Sequence, residues 1–256
     1  MKRILLVLVI LSFHSVVVAE TLRATLDWSQ RVTLGLSVSG VIARVAVQPG
    51  QRVEKGQLMV ALDDQHLRAR IARAEAELEE ARQSREEGAR ELQRATELYD
   101  RTVLSDHDLQ LAQIGEARAR AAWHRAQADL AEARVLLQQS RIPAPFAGLV
   151  VAVTAQPGQA VISGLRAEPL VELAQDSPLL VRAAVSAEQA ARLTQDSVVR
   201  VEVGGRQLDA RVHHVGLEPL KVEDAALLYE LQVLFDRPDD FIARAGLPVV
   251  LIHVSE

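Results

Sequence analysis

The sequence predicts an elongated mixed α and β fold. A split β-sandwich is interrupted by a long antiparallel α-helical hairpin and followed by a small β-barrel. Three observations carry this prediction. A short strand–turn–strand unit occurs twice, at residues 39–53 and 147–161; Gly40, Pro49 and Gly50 recur 108 positions later as Gly148, Pro157 and Gly158. Between the copies, residues 64–140 lack proline and repeat apolar residues at alternating steps of three and four. Beyond Pro178 the pattern changes to short apolar runs separated by turn residues.

The first 19 residues read as a cleaved export signal. Lys2 and Arg3 precede an apolar run from Ile4, and Val17 and Ala19 are the small residues that cleavage before Glu20 requires. The stretch is shorter than a ~20-residue membrane span; an uncleaved anchor is the alternative. Either way the rest of the chain is expected outside the cytoplasm. Residues 20–38 follow as an N-terminal strand segment.

Residues 39–63 and 142–174 are the two halves of the sandwich. Each half alone leaves an apolar face in water, and the two together bury it. Gly40, Pro49, Gly50, Gly148, Pro157 and Gly158 are expected to shape its turns. Residues 64–141 form the hairpin. One seam runs through Leu67, Ile71, Ala74, Leu78, Ala81, Arg85, Gly88, Leu92, Ala95, Tyr99 and Thr102. The other runs from Leu109 through Ala112, Glu116, Ala119, Trp123, Ala126, Leu130 and Ala133 to Leu137. Arg85 and Glu116 are the polar exceptions. Ser105 or Asp106 caps the second helix, and Pro143 and Pro145 end it. At 1.5 Å per residue the arm reaches roughly 50 Å. Its outward faces are crowded with Glu and Arg, as in solvated coiled-coil flanks. Residues 175–256 supply four to six strands and a short helix capped by Ser186, the pattern of a compact barrel.

Composition excludes several functions. The net charge is -5 with no basic block, unlike a nucleic-acid binder. No cysteine is present, which removes disulfides, thiolate catalysis and an N-terminal lipid anchor on cysteine. Adjacent residues on a strand point to opposite faces, so His213 and His214 cannot chelate one ion together. Asp63-Asp64 and Asp239-Asp240 read as turn and capping acids. No nucleophile elbow, phosphate loop or zinc-protease motif occurs. The chain is not expected to be an enzyme, and no cofactor or metal site is expected.

The split repeat, the inserted coiled coil and the following barrel resemble the periplasmic adaptor family, the HlyD-like membrane fusion proteins. The repeats look like the halves of a lipoyl domain. Ile142-Pro143-Ala144-Pro145-Phe146-Ala147-Gly148-Leu149-Val150 is similar to the family's segment at the return from the hairpin, with Ala147 in place of its usual acid. Adaptors of resistance–nodulation–division (RND) pumps carry an arginine, a leucine four residues on and a serine seven residues after that. Arg94, Leu98 and Ser105 stand at those spacings here. The resemblance implies that they contact a TolC-type outer-membrane channel, while the base of the protein meets an inner-membrane transporter. It also implies a ring of about six copies and a periplasmic location. Family members continue past the barrel into a membrane-proximal domain; residues 20–38 supply only one or two strands toward it, so it is expected to be absent or vestigial. An adaptor for an ATP-driven or major-facilitator exporter is the alternative. A lipoyl or biotin carrier is a further one, but it needs a lysine where the halves join, and beyond the export signal the chain has only Lys55 and Lys221.

Overall fold

The computed structural model describes residues 20–164, 168–220, 227–238 and 240–253. The expected export signal at 1–19 lies outside the described residues. In chain order the elements are β1 (Glu20–Leu34), β2 (Gly40–Val45), β3 (Arg52–Val53), β4 (Leu58–Leu62), α1 (Gln65–Asp100), α2 (Asp106–Gln139), β5 (Arg141–Pro143), β6 (Gly148–Val153), β7 (Ala160–Val161), β8 (Val171–Ser186), α3 (Ala187–Arg192), β9 (Val198–Val203), β10 (Arg206–Leu220), β11 (Leu228–Phe235) and β12 (Pro248–His253). The chain divides into two compact units, one of Arg31–Ala174 and one of Met1–Gln30 with Gln175–Glu256.

In the Arg31–Ala174 unit the two repeats build one sandwich about an approximate twofold axis. The hydrogen bonds show the symmetry residue by residue. Gly50 N–H donates to Val150 O at 2.8 Å, and Gly158 N–H donates to Ile42 O at 2.8 Å. Val150 N–H donates to Gln51 O at 2.9 Å, and Ile42 N–H to Gln159 O at 2.9 Å. Strand β3 pairs with β6 through Arg52↔Leu149, and β2 pairs with β7 through Val41↔Ala160. One sheet has the order β5-β4-β2-β7. The core draws Ile42, Met59, Val60 and Leu62 from the first half and Ile142, Val150, Leu170 and Leu173 from the second. Each such side chain is worth about 1.5–3 kcal/mol when fully buried, and neither half has enough of them alone.

Both Gln-Pro-Gly-Gln turns are built identically. Gly50 and Gly158 sit at φ 83° and 85°, the third-position conformation of a type II turn with proline before it. Gln51 and Gln159 each return a side-chain oxygen to the backbone N–H three residues earlier, at 3.0 Å. Gly40 and Gly148 differ from expectation, because they open strands β2 and β6 instead of shaping turns. The reason at Gly40 is space: a Cβ there would stand 2.9 Å from Leu62 Cδ1. Gly148 is buried and paired with Val53.

The hairpin rises from this sandwich between Asp63 and Arg141. Asp64 takes the N-cap position of α1 without capping it. Its carboxylate is claimed by Arg68 at 2.8 Å and by Arg141 at 2.9 Å, which ties the outgoing stem to the returning one. Those hydrogen bonds, Arg68 first, hold its pKa down to about 2. Asp63 instead accepts from Gln65 N–H at 3.1 Å. Ion pairs Arg70–Glu132 and Arg134–Glu75 link the helices further up. Arg85 remains in the seam because its guanidinium lies over the Trp123 ring, 4.1 Å from the centroid. At Gly88 the helices come so close that an added Cβ would be 3.3 Å from Glu116 Cα.

In the other unit, strands follow the order β1-β12-β9-β10-β11-β8, and β1 also pairs with β8, which closes the order on itself. The pairings from β1 to β12 and onward to β8 are antiparallel. Leu26, Leu179, Val181, Val201, Val212 and Val233 fill the interior. Ser186 and Gln189 form a capping box on α3. Asp240 pairs with Arg206 at 2.7 Å, while Asp239 lies outside the described residues.

Candidate partner-binding site at the hairpin tip

The hairpin packs tightly near its base and loosely near its tip. Leu67, Ala74, Leu130 and Ala133 are buried in the base half. In the distal half only Ala95 is buried among the described residues. The small seam residues Gly88, Ala95, Ala112 and Ala119 leave a groove of about 540 Å³ between the helices. Leu98, Leu104, Leu111 and Gly115 complete its apolar lining, and every charged residue in it is a carboxylate: Glu91, Asp108 and Glu116.

The turn between the helices is tightly hydrogen-bonded. Thr102 stands at φ 59°, its N–H donates to Tyr99 O at 2.8 Å, and Val103 N–H donates to Leu98 O at 3.0 Å. This is a Schellman stop with threonine where glycine is usual. Ser105 then caps α2: its Oγ accepts from Asp108 N–H at 3.2 Å and donates to Asp108 Oδ2 at 2.6 Å. Asp106 and Asp108 place negative charge at the positive end of the helix. The Tyr99 phenol hydrogen bonds to Asp106, which raises its pKa.

The three sequence-predicted tip residues gather around one groove. Leu98 is half-buried in its wall. Arg94 is exposed and bonded to Glu91, a lining residue. Ser105 holds Asp108, another lining residue. Tyr99 and Thr102, expected in the seam, do not lie there: Tyr99 is 37% exposed and Thr102 is in the turn. A straight α-helix drifts relative to a seven-residue repeat, and by the last turn Leu98 has taken over the inward position.

Sequence reasoning missed the apolar surface beside the groove. Leu111 is 52% exposed, Ile114 47% and Val103 71%. Leu111 and Ile114 are apolar residues outside the three-and-four seam, on a face expected to be charged; that mismatch was the available signal. His213 and His214 both lie exposed on β10. Among the described residues no three His, Cys, Asp or Glu side chains cluster as metal ligands, and no helix is long and apolar enough to cross a membrane. Lys55 is exposed in the turn before β4, whereas the position joining the two sandwich halves carries the hairpin. Lys221 lies outside the described residues.

Comparison with known proteins agrees with this architecture. The chain is 31% identical over 223 residues to the macrolide export protein MacA of Escherichia coli O157:H7, covering 80% of this chain and 60% of that protein. It is 28% identical over 155 residues to the multidrug resistance protein MdtA of Erwinia amylovora, covering 60% of this chain and 38% of that one. The chain thus spans less than two thirds of the length of these relatives. Its fold is similar to that of the membrane fusion protein Spr0693 of Streptococcus pneumoniae R6, with a TM-score of 0.73 at 16% identity, over 93% of this chain and all of that one (100%). It is also similar to a MacA–MexA chimaera carrying the Pseudomonas aeruginosa MexA α-hairpin domain, with a TM-score of 0.69 at 21% identity, over 93% of this chain and 81% of that one. Residues 30–173 match the barrel-sandwich hybrid domain of RND membrane fusion proteins, more than half of the 256 residues, and the chain belongs to the membrane fusion protein, or periplasmic adaptor, family.

Proposed function

We propose that this chain is a non-enzymatic periplasmic adaptor of a tripartite efflux pump, exported by a cleaved signal. It joins an inner-membrane RND transporter to a TolC-type outer-membrane channel as a ring of copies. One observation carries the reading: Leu98 lines an open groove at the far end of the hairpin, and Arg94 and Ser105 are bonded to two of its other lining residues, Glu91 and Asp108. A long hairpin with its seam closed at the base and open at the tip is suited to holding a partner at a distance. The family description names RND pumps, and relatives named for macrolide export and multidrug resistance support small organic drugs as cargo.

The test substitutes Arg94→Asp and Leu98→Ser. The first removes a forked donor and sets a second carboxylate beside that of Glu91. The second removes an apolar contact of about 1–3 kcal/mol, multiplied by avidity around the ring. Neither residue touches the sandwich core, so both variants fold and export. Cross-linking to the channel and drug efflux fall together. A double variant that pumps and cross-links like the parent refutes the assignment. Co-purification of the transporter identifies its class, with an ATP-driven or major-facilitator exporter as the other outcome.

A further inference from the structure

The two helical glycines of the hairpin stand at one level. Gly88 is the only glycine of α1, and Gly115 is the only glycine of α2. A Cβ built on Gly88 would lie 3.3 Å from the Cα of Glu116, the neighbour of Gly115. The two differ in what they allow. Gly88 is small because the facing backbone is close. Gly115 has no such reason: its φ is not in the left-handed region, and a Cβ there would meet nothing within 4 Å. Each makes its helix roughly fivefold less favourable than alanine would. Both of the weakest helical positions of the arm thus fall at a single cross-section.

What joins the helices also changes at this level. On the base side, the ion pairs Arg70–Glu132 and Arg134–Glu75 bridge them, and the Arg85 guanidinium lies over the Trp123 ring. Leu67, Ala74, Ala126, Leu130 and Ala133 are buried there. Beyond the glycines, Arg90 pairs with Glu87 and Arg94 with Glu91, each pair within α1. Such pairs support one helix and do not hold two together. Only Ala95 is buried among the described residues of this stretch, and the open groove replaces the closed seam. The helical pieces beyond the glycines, residues 89–100 and 106–114, are no longer than the roughly 12–15 residues at which an isolated helix is marginal. The turn itself is well bonded, through Thr102 and Val103 N–H groups and the reach of Tyr99 to Asp106. The weak place is therefore internal and lies behind the turn.

We infer that residues 89–114 form a separate cooperative unit, which opens from the Gly88–Gly115 level while the base of the hairpin stays zipped. The stem then keeps the direction of the arm, and the end unfolds and refolds without disturbing the sandwich. This goes beyond the adaptor reading and holds whichever partner the tip meets.

Native-state hydrogen exchange on the full chain, at rising urea below the unfolding transition, tests it. Amides of residues 89–100 and 109–114 are expected to exchange through one opening with a shared urea dependence. That opening is expected roughly tenfold or more often than the opening of residues 68–80 and 126–138, since two glycines at about fivefold each fall at its edge. Gly115→Ala fills open space, so the variant folds. It should slow exchange across the whole distal block about fivefold and leave the base amides unchanged. Distal amides as slow as those of the base overturn the inference. So do rates graded backward from the turn without a shared urea dependence, which is fraying. A Gly115→Ala effect confined to the adjoining turns of α2, or spread equally over the base, overturns it as well.

Discussion

Replacing Arg237 by methionine is expected to destabilise the unit made of β1 and residues 175–256 far more than a surface substitution would. Arg237 and Asp176 form an ion pair at 3.5 Å, with side chains only 7% and 13% exposed. The guanidinium also donates to Pro238 O at 3.0 Å and to Phe241 O at 2.8 Å. Methionine keeps much of the volume but removes the counter-charge and leaves both carbonyls without that donor. Breaking one side of a buried pair costs about 3–5 kcal/mol, whereas replacing both partners by neutral groups is often close to neutral. The expected loss is therefore about 3 kcal/mol for Arg237→Met, of which Asp176→Asn in the same chain recovers most. The chain has two tryptophans, one in each unit, so Trp123→Phe leaves Trp28, 7% exposed, as the reporter. Its fluorescence during urea unfolding reads the loss directly. An Arg237→Met cost below about 1 kcal/mol, or a double variant no more stable than the single one, would refute the reasoning, since both follow from taking the guanidinium away from the Asp176 carboxylate.

Two further predictions concern the hairpin. Thr102→Gly relieves a left-handed conformation costing a β-branched residue about 1–2 kcal/mol and loses part of that to chain flexibility; hydrogen exchange in the last turn of α1 should slow, and faster exchange would count against the strain. Asp64 has its pKa lowered to about 2 from an ordinary 3.8, so its contribution is fully present above pH ~4 and lost as pH falls toward 2. Asp64→Asn should lower stability at neutral pH and flatten the acid limb of a pH titration followed by circular dichroism; an acid limb as steep as the parent's would remove Asp64 from the account.

Much of this molecule is legible in its sequence because two strong periodicities coincide with its architecture. The 108-residue offset maps one sandwich half onto the other down to single hydrogen bonds, since Pro-Gly at the middle of a turn admits few backbone solutions. The three-and-four spacing marks both hairpin helices, and Ser105 and Ser186 announce the starts of α2 and α3. Legibility fails where spacing alone cannot supply geometry. Tyr99 and Thr102 satisfy the repeat but lie past the point where α1 has rotated its seam onto Leu98. The distal groove is invisible to pattern counting because alanine and glycine fit a seam whether or not it is closed. Gly40 reads as a turn residue from its neighbours, yet its smallness answers to Leu62, 22 positions away.

The clasp that Asp64 makes with Arg68 and Arg141 bears on how the arm can change through evolution. The insertion separates two halves that must find each other, and an unstructured loop of that size would oppose their meeting. Here the helices zip from contacts between nearby turns, and the stems arrive already side by side. Chain length within the zipper thus hardly enters the closure cost, which for a flexible loop grows by about 0.6 kcal/mol per doubling. Whole heptads can be added to or removed from both helices together while the sandwich sees the same two ends. Reach is thereby a trait that can be adjusted separately from the sandwich.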